Sequence, residues 1–363
     1  MWTDAAVLRA EGAPYTIEQV ELDDPGPGEV LVKIAGAGLC HTDLLGRTEL
    51  IGKPVILGHE GSGTIEAVGT GVTTLSVGDH VVLSFDSCGS CANCRAAHPA
   101  YCAEFFPRNL TGLAADGSHC ATGQDGKPVA ARWFAQSSFA THTIATARNV
   151  VRVERDLPLE LLGPLGCSLL TGAGSVFNSL AVTPGSSIAV FGTGGVGLAA
   201  VMAAGLAGAA TVIAVDLHQG RLDLAAELGA THTINGSDAD IAAQILALTG
   251  DGAQYSLDTT GVPSVITTAV NSLRPTGMCG LVGIQQGDLV LDPFALAGGR
   301  TLTGILEGDA VPQLLVPRLI ALWKQGRFPF DRLITTYPLH EINQAEADTT
   351  TGASIKPVLI PAS

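Results

Sequence analysis

The chain has 363 residues, of which 46% are hydrophobic and 15% charged, and its formal net charge is −15 at pH 7. This length and composition allow about two domains with sizeable cores and argue against disorder. The acidic balance, without a long Lys/Arg run, argues against nucleic acid or an anionic membrane surface as partner. No signal-peptide pattern opens the chain, and the most apolar helical stretch, 196–210, is too short to span a bilayer. We therefore expect a cytoplasmic protein, in which clustered cysteines more often bind metal than form disulfides.

Short apolar runs alternate with Gly- and Pro-rich turns along the first part of the chain. This pattern predicts a small β-barrel or sandwich, with strands at 5–8, 15–17, 30–34, 55–57, 64–68 and 78–83. Residues 137–144 return to strand-like alternation. The polar segment 103–136 between them is too long for a simple connection, so we expect a structured excursion at the surface or at a subunit contact.

Four cysteines follow one another as Cys88-x₂-Cys91-x₂-Cys94-x₇-Cys102. Four thiolates at short spacing satisfy a tetrahedral Zn²⁺ completely, which is typical of a structural zinc site. The alternative to a zinc site is a loop that carries four reduced thiols without a metal. We expect the two remaining cysteines outside any site, Cys120 and Cys279, to be ordinary small apolar residues.

A second set of ligand types begins at residues 40–43, where a thiol, an imidazole, a hydroxyl and a carboxylate are consecutive. A catalytic zinc usually has three protein ligands and an open position. Cys40 would need partners from elsewhere, and His59 and Cys167 are the best candidates. The Thr42 hydroxyl could then lie beside the open position. A buried free cysteine next to a polar turn is the alternative.

The second half contains a G-x-G-x-x-G motif between an apolar run at 187–191 and a predicted helix at 196–206. Glycines let the backbone approach a pyrophosphate, whose charge meets the helix N-terminus. Asp216 ends the next predicted strand, where a carboxylate binds ribose hydroxyls and repels a 2′-phosphate, so it favours NAD over NADP. Asp216 could instead cap a helix. The candidate cofactor-binding residues are Gly192, Gly194, Gly195, Val196, Gly197, Asp216 and Arg221.

Predicted strands and helices alternate from the motif onward, which indicates an α/β fold with a doubly wound parallel sheet. The strands are expected at 211–215, 231–235, 255–258, 280–284 and 302–306. A helix is expected at 311–325, and short strands in the tail at 333–360.

Taken together, these motifs make the chain resemble the zinc-dependent alcohol dehydrogenases of the medium-chain dehydrogenase/reductase family. Gly58-His59-Glu60-x₂-Gly63-x₅-Gly69 is similar to that family's zinc signature, and residues 88–102 to its structural-zinc lobe. The stretches 38–43, 134–141 and 161–168 are most similar to bacterial aryl-alcohol (benzyl alcohol) dehydrogenases. The resemblance implies a GroES-like β-rich catalytic domain at 1–165, with a zinc lobe at about 86–104. A Rossmann NAD-binding domain at 166–305 and a return to the catalytic domain at 306–363 would follow.

The resemblance also implies roles for individual residues. Cys40, His59 and Cys167 would hold the catalytic zinc, with Glu60 beside it or as an alternate ligand, and Asp43 would orient His59. Thr42 would bond the substrate oxygen, His41 and Lys356 would face the cofactor pyrophosphate, and Thr171 would lie against the nicotinamide. Ser84 and Phe85 precede the first lobe thiolate on a strand, and we expect them to line the substrate cleft.

The implied reaction is the reversible, zinc- and NAD-dependent oxidation of primary aromatic or allylic alcohols to aldehydes, by hydride transfer from a zinc-bound alkoxide. Two zinc ions per subunit and a homodimer are expected, with a homotetramer as the alternative assembly. Leu45 stands where several relatives carry a proton-relay histidine, so we expect a different relay. The alternative functions are a glutathione- or mycothiol-dependent formaldehyde dehydrogenase, a zinc-less quinone reductase relative and an inactive binding relative.

Overall fold

The computed structural model describes residues 1–48 and 51–362. These residues form two compact units. The first comprises 1–167, 311–318 and 331–363, and the second comprises 168–310 and 319–330. The second unit therefore includes 306–310 and 319–330, which the sequence-based boundaries assign to the C-terminal return. None of the helices in the described parts of the chain has the length and apolar character needed to cross a bilayer.

The strands are numbered in chain order. They are β1 (Trp2–Leu8), β2 (Thr16–Leu22), β3 (Glu29–Gly38), β4 (Val55–Ile56), β5 (Glu60–Val68), β6 (His80–Leu83), β7 (Ala121–Gly123), β8 (His142–Thr146), β9 (Val150–Val153), β10 (Ser187–Phe191), β11 (Thr211–Asp216), β12 (His232–Asn235), β13 (Ala253–Asp258), β14 (Leu273–Leu281), β15 (Thr301–Gly304), β16 (Ile334–Pro338) and β17 (Lys356–Ile360).

The α-helices follow the same order. They are α1 (Asp43–Gly46), α2 (Ala92–Arg95), α3 (Phe105–Asn109), α4 (Ser168–Gly174), α5 (Gly195–Leu206), α6 (Gln219–Glu227), α7 (Ile241–Thr249), α8 (Pro263–Asn271), α9 (Pro312–Lys324) and α10 (Ile342–Thr351). A π-helical turn, Ser175–Ser179, extends α4.

Two sheets build the first unit. One has the order β16-β17-β3-β5-β6-β9, with β8 also pairing β3, and the other has the order β4-β1-β2-β7. Neighbouring strands are antiparallel except β16 and β17. The register places Gly38, the last residue of β3, opposite Glu60, the first residue of β5. A Cβ on Gly38 would overlap the Glu60 carboxylate, so glycine at this position leaves room for the Glu60 side chain.

The second unit is a six-stranded parallel sheet of order β12-β11-β10-β13-β14-β15, with an α-helix in every connection along the chain except that between β14 and β15. This confirms the predicted doubly wound sheet. Its core contains Phe191, Ile213, Val215 and Ile245, each no more than 5% exposed. The chain order reverses at β10, which has β11 on one side and β13 on the other. Ligands bind open α/β sheets at the carboxyl ends of the strands where this reversal occurs, and the glycine motif follows β10 there.

Two expectations about irregular regions need correction. The segment 103–136 is not only a surface excursion, because β7 joins the four-stranded sheet and residues 129–136 are buried. Trp133 within it is completely buried. The tail contains α10 as well as strands. Only Ile342 and Ala345 of that helix are buried, so the sequence carries almost no apolar periodicity to reveal it.

Candidate active site

The predicted catalytic metal ligands lie together in the first unit. One ligand atom from each of Cys40, His59, Glu60 and Cys167 lies within 4.8 Å of the others, and all four residues are buried. Cys40 and His59 come together because β3 and β5 pair antiparallel at this end. Cys167 arrives from far along the chain, after the 3₁₀ turn Gly163–Gly166.

The chemistry of this group fits a zinc ion. The Nε2 atom of His59 is buried and has no hydrogen-bond partner among the described residues, while Nδ1 lies 2.7 Å from Asp43 Oδ1. The contact with the Cys167 sulfur, together with Lys356 and His59, lowers the pKa of Cys40 well below its ordinary value, against the effect of burial. Two sulfur ligands and one imidazole nitrogen are a donor set of catalytic zinc sites.

Asp43 organises the residues around His59. Its Oδ1 accepts hydrogen bonds from His59 Nδ1, from Trp133 Nε1 at 2.9 Å and from the Gly58 backbone N at 3.2 Å. Its Oδ2 accepts one from the Cys40 backbone N at 3.1 Å. Burial alone would lower the pKa of His59, but Asp43 and Cys40 raise it. A carboxylate bonded to Nδ1 keeps the proton there and leaves Nε2 for the metal.

Lys356 lies beside the metal ligands and bonds to Glu60. Its side chain is buried, and its Nζ lies 3.0 and 3.2 Å from the Glu60 carboxylate oxygens and 3.0 Å from Leu39 O. Burial raises the pKa of Glu60, while Lys356 acts in the opposite direction. Glu60 and Cys40 in turn hold the pKa of Lys356 above its ordinary value despite burial. The ammonium group therefore lies at the metal site, and its role toward the cofactor pyrophosphate stays a prediction.

Ser84 and Phe85 do not line a cleft. Ser84 is completely buried, and its hydroxyl donates to Gly166 O at 2.5 Å. Phe85 is 4% exposed and packs against Phe105, with ring centroids 5.8 Å apart. Both positions continue the buried stretch that begins within β6, whose last three residues are also buried.

The four lobe cysteines form the second candidate metal site. The sulfurs of Cys88, Cys91, Cys94 and Cys102 lie within 4.8 Å of one another. Hydrogen bonds from the backbone and side chain of Ser90 lower the pKa of Cys88 to about 6. Burial raises the pKa of Cys102 to about 12, although its sulfur accepts backbone N–H groups. A cation is therefore needed to hold all four as thiolates, and the set fits a structural zinc.

The glycine motif lies between β10 and α5, as predicted. Gly192 has φ +87°, and a Cβ on Gly197 would overlap Gly192 O, so both positions require glycine. Gly194 is the N-cap of α5, and Gly195 and Val196 are its first residues. This turn leaves backbone N–H groups at a helix N-terminus, where a pyrophosphate binds.

The Asp216 carboxylate forms hydrogen bonds with this turn. Its Oδ2 accepts hydrogen bonds from the Thr193 backbone N at 2.7 Å and from Thr193 Oγ1 at 2.9 Å, and Oδ1 accepts one from the His218 backbone N at 2.9 Å. The N-cap of α6 is His218, so the alternative that Asp216 caps the helix is wrong. Arg221 lies in the first turn of α6 and is half-buried.

The remaining predicted residues have simpler surroundings. His41 is exposed and Thr42 half-buried, just before α1. Thr171 lies in α4, where its hydroxyl donates to Glu307 Oε2 at 3.3 Å. Their roles toward substrate and cofactor stay predictions.

Sequence reasoning missed a turn that surrounds His59. The Phe134 ring stacks on the His59 ring with centroids 4.4 Å apart and an interplanar angle of 23°. Gln136 Nε2 donates to His59 O at 2.8 Å. In the sequence, the stretch 134–141 shows only a similarity to aryl-alcohol dehydrogenases, and no residue spacing within it indicates a contact with His59.

A β-rich unit with two zinc-type sites, joined to a parallel-sheet unit with a dinucleotide-binding turn, defines a zinc- and nucleotide-dependent dehydrogenase. Residues 26–155 match the alcohol dehydrogenase GroES-like domain, and residues 195–322 match the zinc-binding dehydrogenase domain. The geraniol dehydrogenase of Castellaniella defragrans (strain DSM 12143 / CCUG 39792 / 65Phen) is 48% identical over 98% of this chain and 97% of its own length. The chain belongs to the zinc-dependent alcohol dehydrogenases of the medium-chain dehydrogenase/reductase family.

Solved structures agree with this assignment. An alcohol dehydrogenase zinc-binding domain protein from Burkholderia ambifaria is 49% identical, with a TM-score of 0.97 and full coverage of both chains. The benzyl alcohol dehydrogenase of Acinetobacter calcoaceticus is 43% identical, with a TM-score of 0.95 and the same coverage.

Proposed function

We propose that this alcohol dehydrogenase oxidises primary aromatic and allylic alcohols reversibly to aldehydes, with NAD as the hydride acceptor. The observation that carries the proposal is the complete Cys40–His59–Cys167 ligand set, with a buried imidazole nitrogen left for a metal. The substrate class is supported by the similarity to a geraniol dehydrogenase and a benzyl alcohol dehydrogenase. Assembly as a homodimer and a cytoplasmic location stay predictions.

Different residues of the chain have different roles in this oxidation. When bound, zinc supplies a Lewis acid that lowers the pKa of an alcohol hydroxyl, and the nicotinamide supplies the hydride acceptor. Cys40, His59 and Cys167 hold the metal, and Asp43 keeps the His59 proton on Nδ1. Thr42, two residues after Cys40, accepts a hydrogen bond from the substrate hydroxyl and passes its proton outward.

The choice of NAD follows from the turn after β10. Asp216 places a buried carboxylate beside Thr193, where it repels the 2′-phosphate of NADP. The turn itself offers backbone N–H groups for the pyrophosphate of either coenzyme.

The test is the initial rate of NADH formation with benzyl alcohol, geraniol and ethanol in zinc-replete protein, with NADP in parallel. We expect kcat/KM for benzyl alcohol and geraniol to exceed that for ethanol by about tenfold or more, since burying added apolar surface in a pocket contributes roughly 1–3 kcal/mol. Prior chelation should abolish the rate. Thr42→Val should lower kcat while both zinc ions remain bound.

The oxidation of formaldehyde, measured with and without glutathione, tests the alternative function of a thiol-dependent formaldehyde dehydrogenase. Turnover of none of the three alcohols, together with oxidation of formaldehyde only when the thiol is added, would refute the proposed substrate class. Turnover of the alcohols without thiol, and with NAD over NADP, is the expected result.

A further inference from the structure

Gln136 holds the backbone on both sides of Glu60. Its side chain is completely buried, with Nε2 donating to His59 O at 2.8 Å and Oε1 accepting from the Gly61 backbone N at 3.0 Å. The same Nε2 also donates to Ser84 O at 3.0 Å. One amide therefore ties the His59–Gly61 backbone to the residue that follows β6.

Ser84 continues this connection to another metal ligand. Its hydroxyl donates to Gly166 O at 2.5 Å, and Gly166 immediately precedes Cys167. Asn149 Nδ2 donates to Ser84 O at 3.1 Å and fixes the same peptide from another side. The path His59–Gln136–Ser84–Gly166–Cys167 thus joins two ligands that are distant in sequence.

The turn that carries Gln136 is strained. Phe134, Ala135 and Ser137 have φ angles of 51°, 53° and 53°, which non-glycine residues rarely adopt. Such strain persists only when surrounding contacts over-determine it, and it concentrates at functional sites. The Ser137 hydroxyl donates to Ile56 O at 2.7 Å and accepts from the Trp133 backbone N at 2.8 Å. These bonds hold the turn against the segment that leads to His59.

We propose that Gln136 and Ser84 are positioning residues, which set the separation between His59 and Cys167 and so the geometry of the catalytic metal. The inference rests on the metal centre of the proposed function. Cys40 and His59 are placed by the pairing of β3 and β5, whereas Cys167 follows a 3₁₀ turn outside any strand. The hydrogen bond from the Ser84 hydroxyl to Gly166 O links that turn directly to the residue that follows β6.

Two variants and one control test this. Gln136→Met keeps the side-chain length and removes all three hydrogen bonds, and Ser84→Ala deletes a single oxygen. Ser256→Ala is the matched control, because Ser256 is also completely buried and its hydroxyl donates to a backbone carbonyl, Ala269 O at 3.0 Å, in the second unit. The readouts are zinc release by a chelator, the absorption spectrum of the cobalt-substituted protein, and kcat and KM.

We expect the catalytic metal to bind about 10- to 100-fold more weakly in both variants, as is typical for groups that orient metal ligands. The zinc held by residues 88–102 should stay, the cobalt spectrum should shift, and kcat should fall more than KM rises. The two substitutions should combine less than additively, because they interrupt one path. Ser256→Ala should leave metal binding and the spectrum unchanged.

Wild-type metal affinity and cobalt spectrum in folded variants would overturn the inference. Loss of both metals together with the fold in Ser84→Ala, the milder variant, would also overturn it, since the path would then be a general support. A wild-type protein that binds only one metal would overturn the proposed metal centre and this inference with it.

Discussion

Replacing Trp133 with phenylalanine isolates one hydrogen bond to the carboxylate that orients His59. Trp133 is completely buried, and its Nε1 donates to Asp43 Oδ1 at 2.9 Å. Its ring packs edge-on against Phe134 at 5.2 Å and against His59 at 6.5 Å. Phenylalanine keeps an aromatic ring there but removes the N–H group and part of the ring volume.

The expected cost can be assembled from two contributions. A hydrogen bond to a charged group contributes about 1.5–3 kcal/mol, and the small cavity left behind costs on the order of 1 kcal/mol. Asp43 keeps its bonds from His59, Gly58 and Cys40, so it is not left unpaired. We therefore expect the free energy of unfolding to fall by about 2.5–3 kcal/mol, the lower part of the combined range of about 2.5–4 kcal/mol. Because Oδ1 also orients His59, the catalytic metal should bind roughly tenfold more weakly.

Urea denaturation and chelator competition on zinc-loaded protein measure the two effects of Trp133→Phe. Trp2→Phe is the control, because Trp2 is 50% exposed on β1 and its replacement should change stability by about 0.5 kcal/mol or less. A loss of stability below about 1 kcal/mol with unchanged metal affinity would refute the reasoning, since both depend on the bond to Asp43.

Three further substitutions test other contacts. Asp216→Asn should raise kcat/KM for NADP relative to NAD by removing the repelling carboxylate, as measured by kinetics with both coenzymes. Lys356→Met should cost about 3–5 kcal/mol in urea denaturation, because it leaves Glu60 buried without its cation. Ser90→Ala should raise the midpoint of Cys88 alkylation in zinc-free protein above the pKa of about 6 that both Ser90 groups maintain. A lowered thiol pKa favours the folded lobe above the ordinary thiol range, and this contribution is lost as pH falls through about 6.

For each of these substitutions, one result would contradict the prediction. Asp223→Asn, on the exposed side of α6, should leave the coenzyme ratio unchanged, and an equal change in both variants would remove the role given to Asp216. A Lys356→Met protein of wild-type stability but weaker NAD binding would show that Lys356 acts on the cofactor and not on the stability of Glu60. An alkylation midpoint in Ser90→Ala that stays at the wild-type pH would mean that the Ser90 hydroxyl does not act on Cys88.

Local patterns with direct physical consequences were predictable from sequence. The cysteines of 88–102 and the glycines of 192–197 act through spacing within a few residues, so their geometry follows from the chain itself. The parallel sheet was equally accessible, since buried strands and helices alternate in a regular way. Contacts between distant segments were not predictable: Lys356 meets Glu60 only because β17 and β5 both pair with β3.

The same reasoning explains why Ser84 and Phe85 were assigned to the wrong surroundings. Their position before the lobe suggested a cleft, but both side chains are buried by contacts with other segments, Ser84 with Gly166 and Phe85 with Phe105. The hydroxyl of Ser84 then serves the backbone before Cys167 rather than a substrate.

The three metal ligands reach the site by different physical means, and this predicts unequal tolerance to change. Cys40 and His59 are set by the register of two long strands, and Asp43 bonds to groups of both residues. Many backbone hydrogen bonds hold β3 and β5 in register, so the loss of one leaves Cys40 and His59 in place. Cys167 lies outside the strands, directly after a 3₁₀ turn, and the Ser84 hydroxyl bonds the peptide that precedes it. Substitutions near Cys167 should therefore disturb the metal more than equally conservative ones in β3 or β5.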